Sequence, residues 1–186
     1  MPLSPADERD LIHTRTMDLK AYRRSDGQFD IEGHITDVKP FTHHLLDSHR
    51  TAGEPIHDMW LRLTIDKDME VQSAEAKLDV GAHVMCPGVE PNFAALAGLR
   101  VGPGWRKGVR ERVGQGRGCT HLVEMLAQMA TAAIQAMWSV REPDEGASKP
   151  PEARRLPEGL VNSCYTYRAD SEFLRDYFPS QYAKTD

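Results

Sequence analysis

Residues 29–38 read FDIEGHITDV: Phe29, Ile31, Gly33 and Ile35 fall on one side of the segment, Asp30, Glu32, His34 and Thr36 on the other. Successive side chains of a strand point to opposite faces, so this period of two reads as a half-buried β-strand. Just before it, Ser25-Asp26-Gly27-Gln28 is a turn, Asp-Gly being a strong hairpin signal. The stretch from His13 to Tyr22 ends in the same alternation and supplies the partner strand. Lys39 to Pro55 is a loop, rich in histidine and without periodicity. Residues 56–65 (IHDMWLRLTI) then place Met59, Leu61, Leu63 and Ile65 on one face and Asp58, Trp60, Arg62 and Thr64 on the other. Asp66-Lys67-Asp68 turns the chain again, and Met69 to Leu78 is a fourth strand. The first half is therefore an antiparallel meander.

The second half reads as helical. Residues 88–99 (GVEPNFAALAGL) suit a short helix ended by Gly98, and Trp105 to Val113 suit another. A long helix begins near Cys119 and runs to about Val140, because Leu122, Met125, Leu126, Met129, Ala133, Ile134 and Met137 recur at helical spacing. Residues 141–159 hold four prolines and two glycines among many charges and read as a linker. Leu160 to Tyr167 is expected as a returning strand or extended segment, and Ser171 to Phe178 as a short amphipathic piece stopped by Pro179. The fold class is α+β: an antiparallel β-meander of about four strands, then two short helices, one long core helix and a C-terminal extended tail. The expected organisation is a flexible arm over 1–10, a single α+β domain over 11–140, the linker, and a segment over 160–186 packing back on the domain.

Composition excludes some roles. The 186 residues include 40% hydrophobic and 27% charged ones, ordinary for a folded domain, and a net charge of −5 argues against general nucleic-acid binding. No stretch resembles a membrane span, since Leu122 to Trp138 carries Glu124, Gln128 and Gln135. The acidic N-terminus lacks an apolar signal core, and the three cysteines, Cys86, Cys119 and Cys164, are widely spaced without a CxxC pair. A reduced, cytoplasmic protein is expected, with a small-molecule substrate, no nucleic-acid or membrane partner, and a homo-oligomer left open.

The most informative local feature is GQGRGCTHLVE, residues 114–124. Three glycines lead into the long helix, and Cys119 and His121 fall at its first turn, where unpaired N–H groups and the helix dipole stabilise a thiolate or an anion. His121 and Glu124, three apart, face one side and suit a shared metal or a His–carboxylate acid/base pair. The glycines permit close approach by a ligand, with Arg117 among them as a substrate contact. The bland alternative is a glycine-rich connection with a capping thiol. No Lys-Ser/Thr follows, so a phosphate loop is not indicated.

A second feature is the polar sheet face. Glu32 and His34 offer an acid and a base, with Asp58, Trp60 and Arg62 nearby to bind substrate, although a solvated face is normal for an antiparallel sheet and is the favoured reading. His57-Asp58 cannot work as a direct pair, because neighbours on a strand point apart. His43, His44 and His49 lack fixed ligand spacing and are expected in solvent. Tyr165, if the tail returns to the sheet, is a candidate acid.

DIEGHITDVKP, GEPIHDMWLRLTID, the Cys86-Pro87 step, GLRVGPGW and above all GCTHLVEML resemble a bacterial family of domains of unknown function, numbered 2889, over roughly residues 8–178. The resemblance implies a soluble bacterial protein and a setting in aromatic and acyl-thioester catabolism; it brings no settled activity. More distantly, a strand followed by a glycine and Cys86, two short helices and then a cysteine opening a long helix is similar to the NifU-like iron–sulfur scaffolds. There, cysteines at comparable positions ligate metal. Cys86 and Cys119 match in order, but the glycine-cysteine-glycine step and a third cysteine are missing, and such clusters are held by four thiolates.

Three functions are therefore weighed. The first is a small acid/base enzyme, a lyase or hydrolase for a small organic substrate, aromatic ones included, its pocket between the polar sheet face and the start of the long helix. Its catalytic groups are His121, Glu124, Glu32, His34 and Tyr165, with no cofactor or a divalent metal. The second is a metal- or iron–sulfur-handling accessory protein using Cys86, Cys119 and His121. The third is a non-catalytic binding module.

Overall fold

In a computed structural model, which describes residues 3–141, 149–157 and 159–184, six strands follow in chain order: β1 (Thr14–Arg23), β2 (Phe29–Val38), the two-residue β3 (His43–His44) and β4 (His49–Arg50), β5 (Pro55–Ile65) and β6 (Val71–Val80). The main sheet is antiparallel in the order β1-β2-β5-β6, the expected meander. Gly27 at φ 84 closes the first hairpin, with Arg24 donating its N–H to the Gln28 carbonyl at 2.9 Å. The last strand starts at Val71 rather than Met69, because Met69 is still in the turn at φ 69. The histidine-rich loop is more ordered than its sequence suggests. His43 pairs with Arg50 and His44 with His49, and the rings of His44 and His49 are exposed to solvent.

The apolar row of β2 is buried at every second residue, and Met59, Leu61, Leu63 and Ile65 of β5 lie beside it. The helices cover this face. α1 (Trp105–Val113) and α2 (Thr120–Arg141) fall where helical spacing puts them. α2 buries Leu122, Met125, Leu126, Met129 and Ala133, and the Trp105 indole donates to the Leu126 carbonyl at 3.0 Å. Contact with the sheet is close at Gly33, where an added Cβ would stand 2.8 Å from the Met125 sulfur. The segment expected as a short helix over 88–99 is a 3-10 run, Cys86–Leu96. Pro91 lies inside it and Pro87 at its start, and two missing N–H donors favour short turns over a regular α-helix.

The described chain divides into two units, Met1–Ile134 and Gln135–Asp186, the second beginning within α2. The second unit holds 3-10 turns at Pro151–Ala153 and Pro179–Gln181 and the helix α3 (Glu172–Tyr177), which Ser171 caps by accepting the Leu174 N–H. The strand or extended segment expected over Leu160–Tyr167 is a series of turns and bends, Asn162 adopting φ 64 and donating its N–H to the Tyr167 carbonyl. Of the expected linker, residues 142–148 and 158 lie outside the described residues, as do residues 1 and 2 of the arm.

Candidate active site at the open end of the sheet

Asp37 continues the odd-numbered row of β2 and so points its carboxylate to the apolar face, where it is 1% exposed. Its cross-strand partners are Arg15 on β1 and His57 on β5, which puts three polar side chains in one row across three strands. Oδ1 accepts from His13 Nε2 at 2.9 Å and Arg15 Nε at 2.8 Å; Oδ2 accepts from Arg15 Nη2 and His57 Nδ1, each at 2.8 Å. Burial alone would push this carboxyl up, but the bonds from Arg15, His57 and His13 and the guanidinium charge outweigh it and hold Asp37 well below the usual carboxylate range. An ionised Asp37 only accepts, so Nδ1 is the nitrogen of His57 that donates to it.

The start of α2 brings the second half of the cluster. Gly118 is required there, since an added Cβ would lie 2.4 Å from the Val113 carbonyl oxygen. Of the glycines expected to admit a ligand, Gly114 and Gly118 fold the chain against itself, while Gly116 has open space around it. Cys119 then caps α2, its carbonyl accepting the Val123 N–H, and its Sγ lies 3.6 Å from His121 Nδ1 and 3.9 Å from Met59 Sδ. The His121 ring is 4.0 Å from that of His57, tilted by 43°. Burial, then the neighbouring His57 and Arg15, push the His121 imidazole below its ordinary value. The cluster thus runs from thiol to imidazole to imidazole to carboxylate, with polar contacts at its two ends and a ring contact between His121 and His57 in the middle. Donor atoms of Asp37, His57 and His121 also lie within 4.8 Å of one another, the one such trio among the described residues; neither Cys86 nor Cys119 belongs to it.

The expected pocket between the polar sheet face and the long helix does not form, because α2 covers the other face. Glu32, His34, Asp58, Trp60 and Arg62 do come together, on the outer side. His34 Nε2 is 2.7 Å from Asp58 Oδ1 and stacks on Trp60 at 3.7 Å, while Arg62 Nε donates to Glu32 at 2.8 Å. Glu124 is exposed at the rim of the inner cluster, its Oε2 4.0 Å from Arg15 Nη1, and makes no hydrogen bond to His121. Arg117 ties back to the carbonyls of Glu111 and Gly114. Cys86 packs against Gly81. Tyr165, in the second unit, is 82% exposed with the Arg168 guanidinium over its ring.

Of the residues that build the site, sequence reading found Cys119 and His121 and missed His13, Arg15, Asp37 and His57. The available signal was parity: Asp37 is in phase with Ile31 and Ile35, and His57 with Met59 and Leu61. Polar residues on an apolar row need partners, and here they are one another's.

No curated protein and no solved structure matches the chain. A family described as Protein of unknown function (DUF2889) matches residues 13–135, a span that runs from His13 through Arg15, Asp37, His57, Cys119 and His121, and the chain belongs to that family.

Proposed function

We propose that the protein is a small acid/base enzyme, a lyase or hydrolase, whose reacting centre is the His57–His121 pair. The observation behind this reading is the 2.8 Å bond from His57 Nδ1 to a carboxylate that is 1% exposed, made beside a second imidazole 4.0 Å away. A buried carboxylate fixes the tautomer and orientation of a catalytic histidine, and its negative charge stabilises the imidazolium formed when the ring takes a proton. Cys119, at the helix start and 3.6 Å from His121 Nδ1, stands ready as a nucleophile or an acid. The family resemblance points to small aromatic or acyl-thioester substrates, and three free thiols suit a reducing, cytoplasmic setting.

The test is turnover by the purified chain on a panel of small aromatic esters, acyl thioesters and β-hydroxyacyl thioesters. One class should be turned over, with His57→Gln reducing kcat/KM by roughly 100-fold or more and His34→Gln, on the outer face, leaving it unchanged. No turnover of any class, or turnover indifferent to His57→Gln, refutes the reading.

A further inference from the structure

The same cluster is arranged to hold a metal ion. We propose that Asp37, His57 and His121 bind one zinc-class divalent cation, with Cys119 as a fourth, sulfur donor. This deepens the reading above, since it concerns the same side chains, and it is tested without any substrate.

The ligand set comes from three separated segments that the fold brings together: the end of β2, the start of β5 and the first turn of α2. Their donor atoms already lie within 4.8 Å of one another. Two imidazoles and a carboxylate are a recurrent ligand set for zinc, and here Cys119 stands beside the fourth position that such sites often leave to water. Around it, the carboxylate is held from behind, as metal-binding carboxylates usually are. Asp37 Oδ1 keeps the bonds from His13 and Arg15 Nε, and Oδ2 keeps that from Arg15 Nη2, so that the ion takes the place of the proton between His57 Nδ1 and Oδ2.

Cys119 selects the kind of ion. With Zn–N near 2.0–2.1 Å and Zn–S near 2.3 Å, a tetrahedral site has an N···S edge of about 3.6 Å. Cys119 Sγ and His121 Nδ1 stand 3.6 Å apart. Cys119 lies outside the 4.8 Å trio, so the site completes with the 3.6 Å edge to His121 kept and the sulfur brought nearer the other two donors. Nitrogen and sulfur donors favour zinc, cobalt or iron over magnesium or calcium, which want oxygen. Charge agrees as well. Asp37 and Glu124 against Arg15 leave one negative charge, a Cys119 thiolate adds a second, and a divalent ion balances both. Four protein donors fill a tetrahedral ion, so a water or substrate reaches it only as a fifth ligand or in place of the sulfur.

The experiment is zinc titration of the full chain after chelator treatment, by calorimetry, with cobalt spectra alongside. We expect one ion per chain. His57→Ala and His121→Ala should each weaken binding by roughly 100-fold, and Cys119→Ser by roughly tenfold, while His44→Ala on the exposed loop changes nothing. In the wild-type chain, cobalt should show a sulfur-to-metal charge-transfer band that Cys119→Ser removes. Absence of one-to-one binding by the wild-type chain, or affinity indifferent to both His57→Ala and His121→Ala, overturns the site. Cobalt bound without a sulfur band overturns the role of Cys119. Binding without turnover would instead leave the metal site standing and remove the enzymatic reading.

Discussion

Asp37 and His57 face each other across adjacent antiparallel strands, and the carboxylate of one accepts a hydrogen bond from Nδ1 of the other at 2.8 Å. The pairing places an ion and an imidazole on a sheet face otherwise filled with Ile31, Ile35, Met59 and Leu61. A carboxylate survives there because four N–H bonds, from His13, Arg15 and His57, replace the water it lost.

Removing that carboxylate strands its donors. Asp37→Ala leaves the Arg15 guanidinium and two imidazole N–H groups without their acceptor, and part of that penalty is relieved because Arg15 and His13 reach solvent. A loss of about 2–4 kcal/mol is expected by urea denaturation, and Asp37→Asn, which keeps the shape but not the charge, should still lose about 1 kcal/mol or more. A change within about 0.5 kcal/mol for the alanine variant would show that the network adds nothing to the fold.

Acid should weaken the fold in two steps. His121 is depressed, so below about 6.5 the unfolded chain takes up a proton that the folded chain resists, and stability falls as pH falls. Asp37 is also depressed. Its contribution is complete above about 4, the ordinary carboxylate value, and is lost progressively as pH drops below it. Urea midpoints measured from pH 8 to 3 should show both declines, and His121→Leu should flatten the first while leaving the second. Equal slopes in wild type and variant between pH 7 and 5 would contradict the assignment.

The outer face should tolerate change. His34 and Trp60 stack, but Trp60 is 41% exposed and the ion pairs around them face water. Exposed pairs of this kind contribute little, so His34→Ala should cost less than about 1 kcal/mol and leave zinc affinity unaltered. A change in zinc affinity would place the metal on the wrong face.

Period and turn chemistry made most of the fold legible: Asp26-Gly27 gave the first hairpin, the alternation in residues 29–38 the central strand, and the methionine-rich spacing after Cys119 the long helix. What could not be seen was which sheet face the helix would choose. Either row of β2 can be covered in principle; burial decides, and it sends α2 onto Phe29, Ile31 and Ile35, away from Glu32 and His34. That choice separated the two halves of the expected site. It also turned Asp37 and His57 inward, where the adjacent-residue argument against His57-Asp58 holds: His57 points to Asp37, and Asp58 points away to His34. Pro91 was the visible sign of which kind of short helix the first one would be, a 3-10 run.

The glycines before α2 differ in what they do, and a pair of substitutions separates them. At Gly118 an added Cβ meets the Val113 carbonyl oxygen at 2.4 Å and the Phe93 ring at 3.4 Å, both held in the core, so the chain itself must move. Gly118→Ala should therefore cost about 1–3 kcal/mol and shift Cys119, its neighbour, away from Met59 and His121. Gly116 has open space around it but φ 81, so Gly116→Ala should cost only about 1 kcal/mol of backbone strain and leave Cys119 in place. Thiol modification rates, measured with Cys86 and Cys164 replaced by serine, report the difference. The rate should rise several-fold in Gly118→Ala and stay at the parent value in Gly116→Ala. Equal rates in both would mean that Gly118 does not hold the thiol where the site needs it.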